Sequence, residues 1–204
     1  MTDTTTTRRL KLAEKAILGF IAGVAGSIAV LEVVFLAVRV TGIVGDPTTT
    51  LTNAFLNEPL EAAFASPAVV SATADAVTLV VEGAPPGTRA ALVGAAILTS
   101  LLTIGICAVV AWLCLRVFVG RPFVRSATWG IAVVAILVLL AGLGAPTLSG
   151  IANAEAAVAL GLDELAPFLV TLDLAPLGWC FALAVVAGAF EIGQRLQRDS
   201  EGLI

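Results

Sequence analysis

Four long runs of apolar residues, separated by segments of mixed polarity, dominate the pattern of the chain. The runs cover residues 16–40, 90–119, 128–145 and 176–195. Each is close to or longer than the roughly 20 residues that an α-helix needs to cross the hydrocarbon core of a bilayer. Because a backbone surrounded by lipid must satisfy its own hydrogen bonds, these runs predict four transmembrane helices.

The two longer segments between the runs predict a small folded layer outside the membrane. Residues 41–89 and 146–175 are too long and too apolar to be bare connections. Within them, "AVTLVVEG" and "FLVTLDL" have the β-branched content of strands, whereas "NEPLEAAFA" and "NAEAAVALGLDELA" have a helical pattern. The predicted fold class is therefore all-α: a polytopic four-helix transmembrane bundle with a small outer cap of short helices and two candidate strands.

The composition agrees with the membrane class. The chain is 59% hydrophobic and 13% charged, and its mean hydropathy is +1.04. Soluble domains have about 45–50% apolar and about 25% charged residues. A net charge of −4 provides no basic surface for a nucleic-acid backbone. Direct nucleic-acid binding is therefore not expected.

Lysine and arginine residues concentrate on one side of this predicted layout. Nine of the eleven lie in or within a few residues of segments 1–15, 120–127 and 196–204. Segments 41–89 and 146–175 instead hold nine of the fifteen acidic residues. Because cytoplasmic loops carry the excess of positive charge, both termini and segment 120–127 are predicted to be cytoplasmic.

The chain lacks the residue type that most often serves as a metal ligand and as a general base. The chain has no histidine, the commonest metal ligand and the commonest general base near neutral pH. Its three cysteines, Cys107, Cys114 and Cys180, lie inside apolar runs and form no Cys-x-x-Cys pair. The sequence therefore predicts no catalytic residues, no metal site and no cofactor, and the protein is not expected to be an enzyme.

Glu32 is the most informative polar residue, because it lies about eight residues, or roughly 12 Å by helical rise, from the outer end of the first run. A carboxyl at this depth is costly and should face other helices or water rather than lipid. It falls on a seam with a three-four spacing, formed by Ala22, Ala25, Ala29, Glu32, Leu36 and Arg39. Ser100 and Thr103 reach a similar depth in the second run, so one of them is predicted to hydrogen-bond Glu32.

Two interpretations of the cluster formed by Glu32, Arg39, Ser100 and Thr103 stay open. In the first, Glu32 is a carboxylate that responds to a proton or a ligand. In the second, it is a packing residue or pairs with Arg39. A separate row of small residues, Gly19, Gly23 and Ser27, indicates close packing within the bundle or between protomers, so a homo-oligomer also stays open.

Two short segments resemble a known family. "GRPFVRSATWG", from Gly120, and "FEIGQRLQRDSEGLI", from Phe190, resemble the integral membrane family called domain of unknown function 2975, in its actinobacterial-type form. The residues that carry the resemblance are Gly120, Pro122, Phe123, Phe190, Gly193, Leu196, Asp199, Glu201, Gly202 and Leu203. Relatives often have asparagine where this chain has Ala127. The resemblance implies a four-span protein of the bacterial plasma membrane, with no defined chemistry. Because some relatives are encoded beside a small helix-turn-helix regulator, it also implies such a regulator as a partner at the cytoplasmic face.

The cytoplasmic side carries a second candidate motif. Gly120 and Pro122 favour a tight turn that places Phe123 and the basic Arg121 and Arg125 at the inner membrane face. The acidic Asp199 and Glu201 are predicted on the same face, so the "DSEGLI" tail is predicted to dock on this turn. The alternative is a frayed tail, since chain ends are usually poorly ordered. Beside the tail, the i,i+4 spacing of Glu191 and Arg195 predicts a local ion pair.

These observations predict a non-enzymatic regulatory or sensing membrane protein. Its expected partners are the lipid bilayer and a cytoplasmic regulator. The alternative is a small transporter or resistance protein that uses Glu32 as a coupling carboxylate.

Overall fold

The computed structural model describes residues 3–61, 73–118, 125–166, 168–171 and 173–201. Most of them are helical, in four long apolar helices accompanied by one small two-stranded sheet. In chain order the elements are α1 (Asp3–Gly45), β1 (Thr48–Glu61), β2 (Thr73–Glu82), α2 (Pro86–Phe118), α3 (Arg125–Leu160) and α4 (Ala175–Glu201).

Each helix contains a stretch that is long and apolar enough to cross a membrane. These stretches are Lys15–Gly45, Pro86–Phe118, Thr128–Leu160 and Ala175–Leu196, of 31, 33, 33 and 22 residues. At about 1.5 Å of rise per residue, even the shortest is about 33 Å long, whereas the hydrocarbon core of a bilayer is about 30 Å thick. The four helices therefore contain the four apolar runs of the sequence.

The chain divides into two compact units. One, which we call the helical unit, comprises Met1–Phe35, Thr99–Ala141 and Leu174–Ile204. The other, which we call the sheet unit, comprises Leu36–Leu98 and Gly142–Asp173. Helices α1, α2 and α3 contribute residues to both units.

The sheet unit is built on an antiparallel pairing of β1 with β2, from Thr48 opposite Glu82 to Glu61 opposite Thr73. The register shifts between Leu51 and Ala54 and again between Phe55 and Leu60. Asn53, in the first irregularity, has a φ of 53°. Asparagine is one of the few residues other than glycine that adopts this left-handed conformation readily.

A short segment after α3 pairs with β1 at the second irregularity. The amide nitrogen of Asn57 donates to the carbonyl oxygen of Glu164 and that of Ala166 to the carbonyl oxygen of Phe55, both at 2.8 Å. This pairing buries Leu165 against Ala54 and Ala157. Leu56, Val77, Leu79 and Leu162 pack around these three residues. The sheet unit thus has an apolar core of its own.

The turn that delivers this segment is a helix cap. Gly161 has a φ of 64°, and the amide of Leu162 donates to the carbonyl oxygen of Ala157 at 2.9 Å. A glycine in the left-handed conformation followed by a bond of this span is the Schellman motif, which ends a helix sharply. It reverses the chain so that Leu165 returns to β1.

The predicted elements of the two intervening segments are partly wrong. "AVTLVVEG" does form most of β2, but the predicted strand "FLVTLDL" is irregular at residues 168–171, and the pairing with β1 is made by residues 164–166 instead. Asn57–Glu61 of the predicted helix "NEPLEAAFA" belong to β1, and its remaining residues lie outside the described part. The helix predicted in "NAEAAVALGLDELA" exists only up to Leu160, as the end of α3 rather than as a separate element.

Helix α3 continues well past the expected end of the third run at residue 145. Pro146 lies inside the helix and removes one backbone hydrogen bond. Packing against α2 supports this stretch, because a Cβ on Gly144 would lie 3.0 Å from Leu98 Cδ1, and one on Gly94 would lie 3.2 Å from Leu148 Cδ1. Neighbouring helices commonly support a proline in an apolar helix in this way.

Candidate functional site

The predicted hydrogen bond of Glu32 is present in the helical unit. Ser100 Oγ of α2 donates to Glu32 Oε1 of α1 at 2.7 Å. Ser100 is fully buried, and Glu32 is half-buried. The distance is typical of a short bond from a hydroxyl to a carboxyl oxygen. The two residues therefore form a direct polar link between two apolar helices.

The faces predicted to carry this link are the covered faces of both helices. On α1, Ala25 is buried and Ala22, Ala29, Glu32 and Leu36 are partly buried. The matching row of α2, Ser100, Thr103, Cys107, Val110 and Cys114, contains no exposed residue. The three-four spacing therefore identified the contact face correctly over four to five helical turns.

Thr103 and Arg39 do not take part as the sequence suggested. Thr103 Oγ1 donates to the carbonyl oxygen of Thr99, in its own helix, at 3.3 Å. Arg39 is exposed and, among residues whose side chains are described, forms no hydrogen bond or ion pair. The next residue, Val40, is partly buried in its place. An ideal α-helix drifts by about 20° per heptad from a strict 3.5-residue seam, which moves Arg39 off the covered face.

Glu32 also has no cationic partner within the described part of the chain. Its ion-pairing interpretation is therefore not supported there. The Glu32 carboxyl is half-buried and accepts a hydrogen bond from a neutral donor, Ser100 Oγ.

No side chain packs closely on Gly19 and Gly23 in the row of small residues of α1, among the described residues. A Cβ added to Gly19, Gly23 or Gly26 would have no atom within 4 Å, and Ser27 Oγ donates to the carbonyl oxygen of Gly23 at 3.0 Å. The row therefore makes no close packing against the described residues of the same chain. Packing between protomers stays a prediction.

The cytoplasmic motif is largely beyond what the structure describes. Gly120, Arg121, Pro122 and Phe123 lie outside the described residues, and for Arg125, Asp199 and Glu201 only the helical backbone is described. Docking of the tail on this turn therefore stays a prediction. The neighbouring ion pair is confirmed, since Arg195 Nη2 lies 2.7 Å from Glu191 Oε1.

Arg89 makes a polar link in the sheet unit that could not be predicted from local sequence patterns. From the first turn of α2, its Nη1 donates to the carbonyl oxygens of Ile43 and Val44 at 3.1 and 3.0 Å, and its Nη2 to that of Pro47 at 3.2 Å. Helix α1 ends at Gly45 with no basic residue in its last turn. The guanidinium therefore satisfies carbonyls that a helix end leaves unpaired, and it places a positive charge at the negative end of the helix dipole.

A reciprocal contact lies at the start of α2, which has no acidic residue in its first turn. The carboxylate of Glu155, from α3, lies where a Cβ on Gly87 would be. A negative charge near a helix N-terminus is stabilising. In the sheet unit, the dipoles at the C-terminal end of α1 and at the N-terminal end of α2 are thus each compensated by a charged residue from a neighbouring helix.

The chemistry available to the described residues is limited. Among them, no group of three or more His, Cys, Asp or Glu side chains could hold a metal ion. Cys107, Cys114 and Cys180 are free thiols. The polar site that remains in the described helical unit is the hydrogen bond from Ser100 to Glu32.

Comparisons with known proteins add nothing to this description: no family model, curated protein or solved structure matches the chain. The resemblance of the two short segments to the membrane family named above therefore stays a prediction.

Proposed function

We propose that the chain is a multi-pass protein of the bacterial plasma membrane, with both termini in the cytoplasm and with a non-enzymatic sensing or regulatory function. The observation that carries the proposal is the folded sheet unit between long apolar helices. It has its own core around Ala54, Ala157 and Leu165, and within it Arg89 joins the start of α2 to the end of α1. Bare connections between transmembrane helices need neither feature.

Charge and aromatic residues support the proposed orientation. The sheet unit presents seven exposed acidic side chains, those of Asp46, Glu58, Asp75, Glu82, Asp163, Glu164 and Asp173. In the helical unit, Lys15 Nζ lies 5.1 Å from the centroid of the Phe118 ring, and Arg116 Cζ lies 5.1 Å from that of Trp112. Basic side chains near helix ends are typical of the cytoplasmic side of a membrane, and aromatic side chains are typical of either membrane interface.

In the proposed mechanism, the sheet unit responds to a condition outside the membrane. Helices α1, α2 and α3 contribute residues to both units, and they are the elements proposed to carry the response to the cytoplasmic side. The receiving partner is a helix-turn-helix regulator at the cytoplasmic face, as the family resemblance implies.

Orientation is tested first, by single cysteine substitutions in a variant without the native cysteines. Thr78→Cys, on the exposed side of β2, is expected to react with a membrane-impermeant maleimide in intact cells. Leu196→Cys, exposed near the end of α4, is expected to react only after permeabilisation. The reverse pattern would contradict the proposed orientation.

The regulatory role is tested by cross-linking in native membranes, followed by purification and by measurement of transcripts. We expect recovery of a helix-turn-helix protein and a changed transcript level for a small set of genes when the membrane protein is deleted. If neither is observed at normal abundance of the protein, the regulatory proposal is wrong.

The polar link between α1 and α2 favours a second candidate, a small transporter or resistance protein. A carboxyl within two apolar helices is costly to retain without a function, and such acids are common in proton and ion pathways. Glu32 of α1 is such an acid, because its carboxyl accepts a hydrogen bond from Ser100 of α2 and has no cationic partner among the described residues.

Glu32→Gln separates this candidate from a packing role. Glutamine keeps an acceptor for Ser100 Oγ but cannot exchange a proton. We expect solute movement driven by a proton gradient to fall at least tenfold in reconstituted vesicles, with protein abundance unchanged. Glu191→Gln is the matched control, since Glu191 is an exposed surface acid. Equal movement in the wild type and Glu32→Gln would remove the transport candidate.

A further inference from the structure

An apolar groove lies beside the contact between α1 and α2. Its volume is about 210 Å³, and it is open along one side. Phe20, Ile21, Val24, Ala25 and Ile28 of α1 form one wall, and Ile106, Cys107 and Val110 of α2 form the other. All of these residues belong to the helical unit.

The groove follows α1 for about two helical turns. From Phe20 to Ile28 it extends about 12 Å along α1 by helical rise. Its rim is made of large side chains, since Phe20, Ile21, Val24 and Ile28 are all exposed by 40% or more. Helices that pack closely in a membrane use small residues at the contact. The groove therefore suits one slender apolar chain better than a further helix.

One end of the groove approaches the polar link. Glu32 follows Ile28 by one helical turn, about 6 Å along the axis. On α2, Thr103 precedes both Ile106 and Cys107 by about one turn, and Ser100 lies one turn further. Toward this end, Glu32 is the acidic residue nearest in sequence to the groove, and within the described residues it lacks a cation.

We propose that the groove binds an amphipathic cation, with a linear apolar chain between α1 and α2 and a positively charged head group beside Glu32. The apolar lining removes the chain from water, and the cation supplies the charge partner that Glu32 lacks. An attraction between opposite charges is stronger here than in water, because the surroundings are apolar. This inference rests on the second candidate function, whose substrate class it names.

Binding is tested with the full-length protein in nanodiscs of neutral phosphatidylcholine. The probe is decyltrimethylammonium, and decanol is the neutral comparison with the same chain. Empty nanodiscs give the partitioning into lipid alone. We expect saturable binding of the cation above this background and at least tenfold weaker binding of decanol.

Two substitutions test the two parts of the site. Glu32→Gln is expected to weaken binding of the cation about tenfold and to leave binding of decanol unchanged. Val24→Trp fills the groove and is expected to weaken both ligands. Glu191→Gln and Val133→Trp are matched controls on exposed surfaces outside the groove, and neither should change binding.

Each outcome supports or overturns the inference separately from the candidate function. Absence of saturable binding, or equal binding of the cation by the wild type and Glu32→Gln, overturns it. If Val24→Trp does not fold, as judged by thermal unfolding in detergent, the Glu32→Gln variant and the comparison with decanol still test whether the groove binds the cation. If the cation binds but no solute moves with a proton gradient, the proposed binding site stands and the transport candidate is wrong. If another solute moves with a proton gradient but the cation does not bind, the transport candidate stands and the proposed binding site is wrong.

Discussion

Replacing Arg89 with alanine is expected to lower the free energy of opening of the sheet unit by about 2–4 kcal/mol, since hydrogen bonds to charged groups contribute more than neutral ones. The side chain donates to three carbonyl oxygens, those of Ile43, Val44 and Pro47. Two of them end α1, where alanine would leave the carbonyls without this donor and the helix dipole without a compensating charge. The chain would also lose the link that holds residues 43–47 to α2.

Hydrogen–deuterium exchange of the peptide that covers β1 measures this effect. We expect its protected amides to exchange roughly 30- to 1000-fold faster, because each 1.4 kcal/mol corresponds to a factor of about ten. Arg89→Lys should recover only part of the loss, since an ammonium group lacks the fork of donors that reaches several carbonyls.

Arg39→Ala is the matched control for Arg89→Ala. Arg39 is exposed and, among residues with described side chains, has no hydrogen bond or ion pair. Its replacement should change stability by no more than about 0.5 kcal/mol. Equal exchange rates in Arg89→Ala and Arg39→Ala would show that the three hydrogen bonds of Arg89 do not stabilise the sheet unit.

Leu51→Ala is expected to destabilise the sheet unit by about 2–5 kcal/mol, the range for removing a fully buried leucine side chain. Leu51 is 0% exposed and pairs with Leu79 across the two strands. Truncation removes apolar contacts and leaves a cavity that neighbouring side chains can fill only in part. The substituted side chain lies in β1 and not in any of the four apolar helices.

Limited proteolysis in detergent detects this change, because cleavage requires local opening. We expect cleavage within the sheet unit to accelerate at least 30-fold, which corresponds to the lower end of the range. Leu60→Ala is the control in the same strand, since Leu60 is 62% exposed and should contribute little. Similar cleavage rates for the two variants would contradict a role for Leu51 in the core.

Leu51→Ala also separates stability from signalling. If the sheet unit senses an external condition, this variant should alter the transcripts controlled by the partner regulator while the abundance of the protein in the membrane is maintained. Unchanged transcripts, with proteolysis confirming that the sheet unit is loosened, would count against sensing by this unit.

The features that depend on local periodicity could be predicted from the amino-acid sequence alone. Four long helices follow from the four runs of apolar residues, whose length and composition match those of helices that cross a membrane. The link from Ser100 to Glu32 follows from two faces with a three-four spacing at a similar depth. The strand of "AVTLVVEG" follows from its β-branched residues.

Tertiary contacts decided the features that local patterns do not encode. Residues 164–166 pair with β1, whereas the described residues 168–171 do not, because the cap at Gly161 brings Leu165 back to Ala54 and Ala157. Helix α3 continues through Pro146, where packing on α2 supports it. Arg89 reaches the end of α1 although more than forty residues separate it from Ile43 in the chain. Long-range backbone pairing and helix capping by a distant residue depend on which segments of the chain meet in space. Hydrophobic periodicity carries no information about which segments meet.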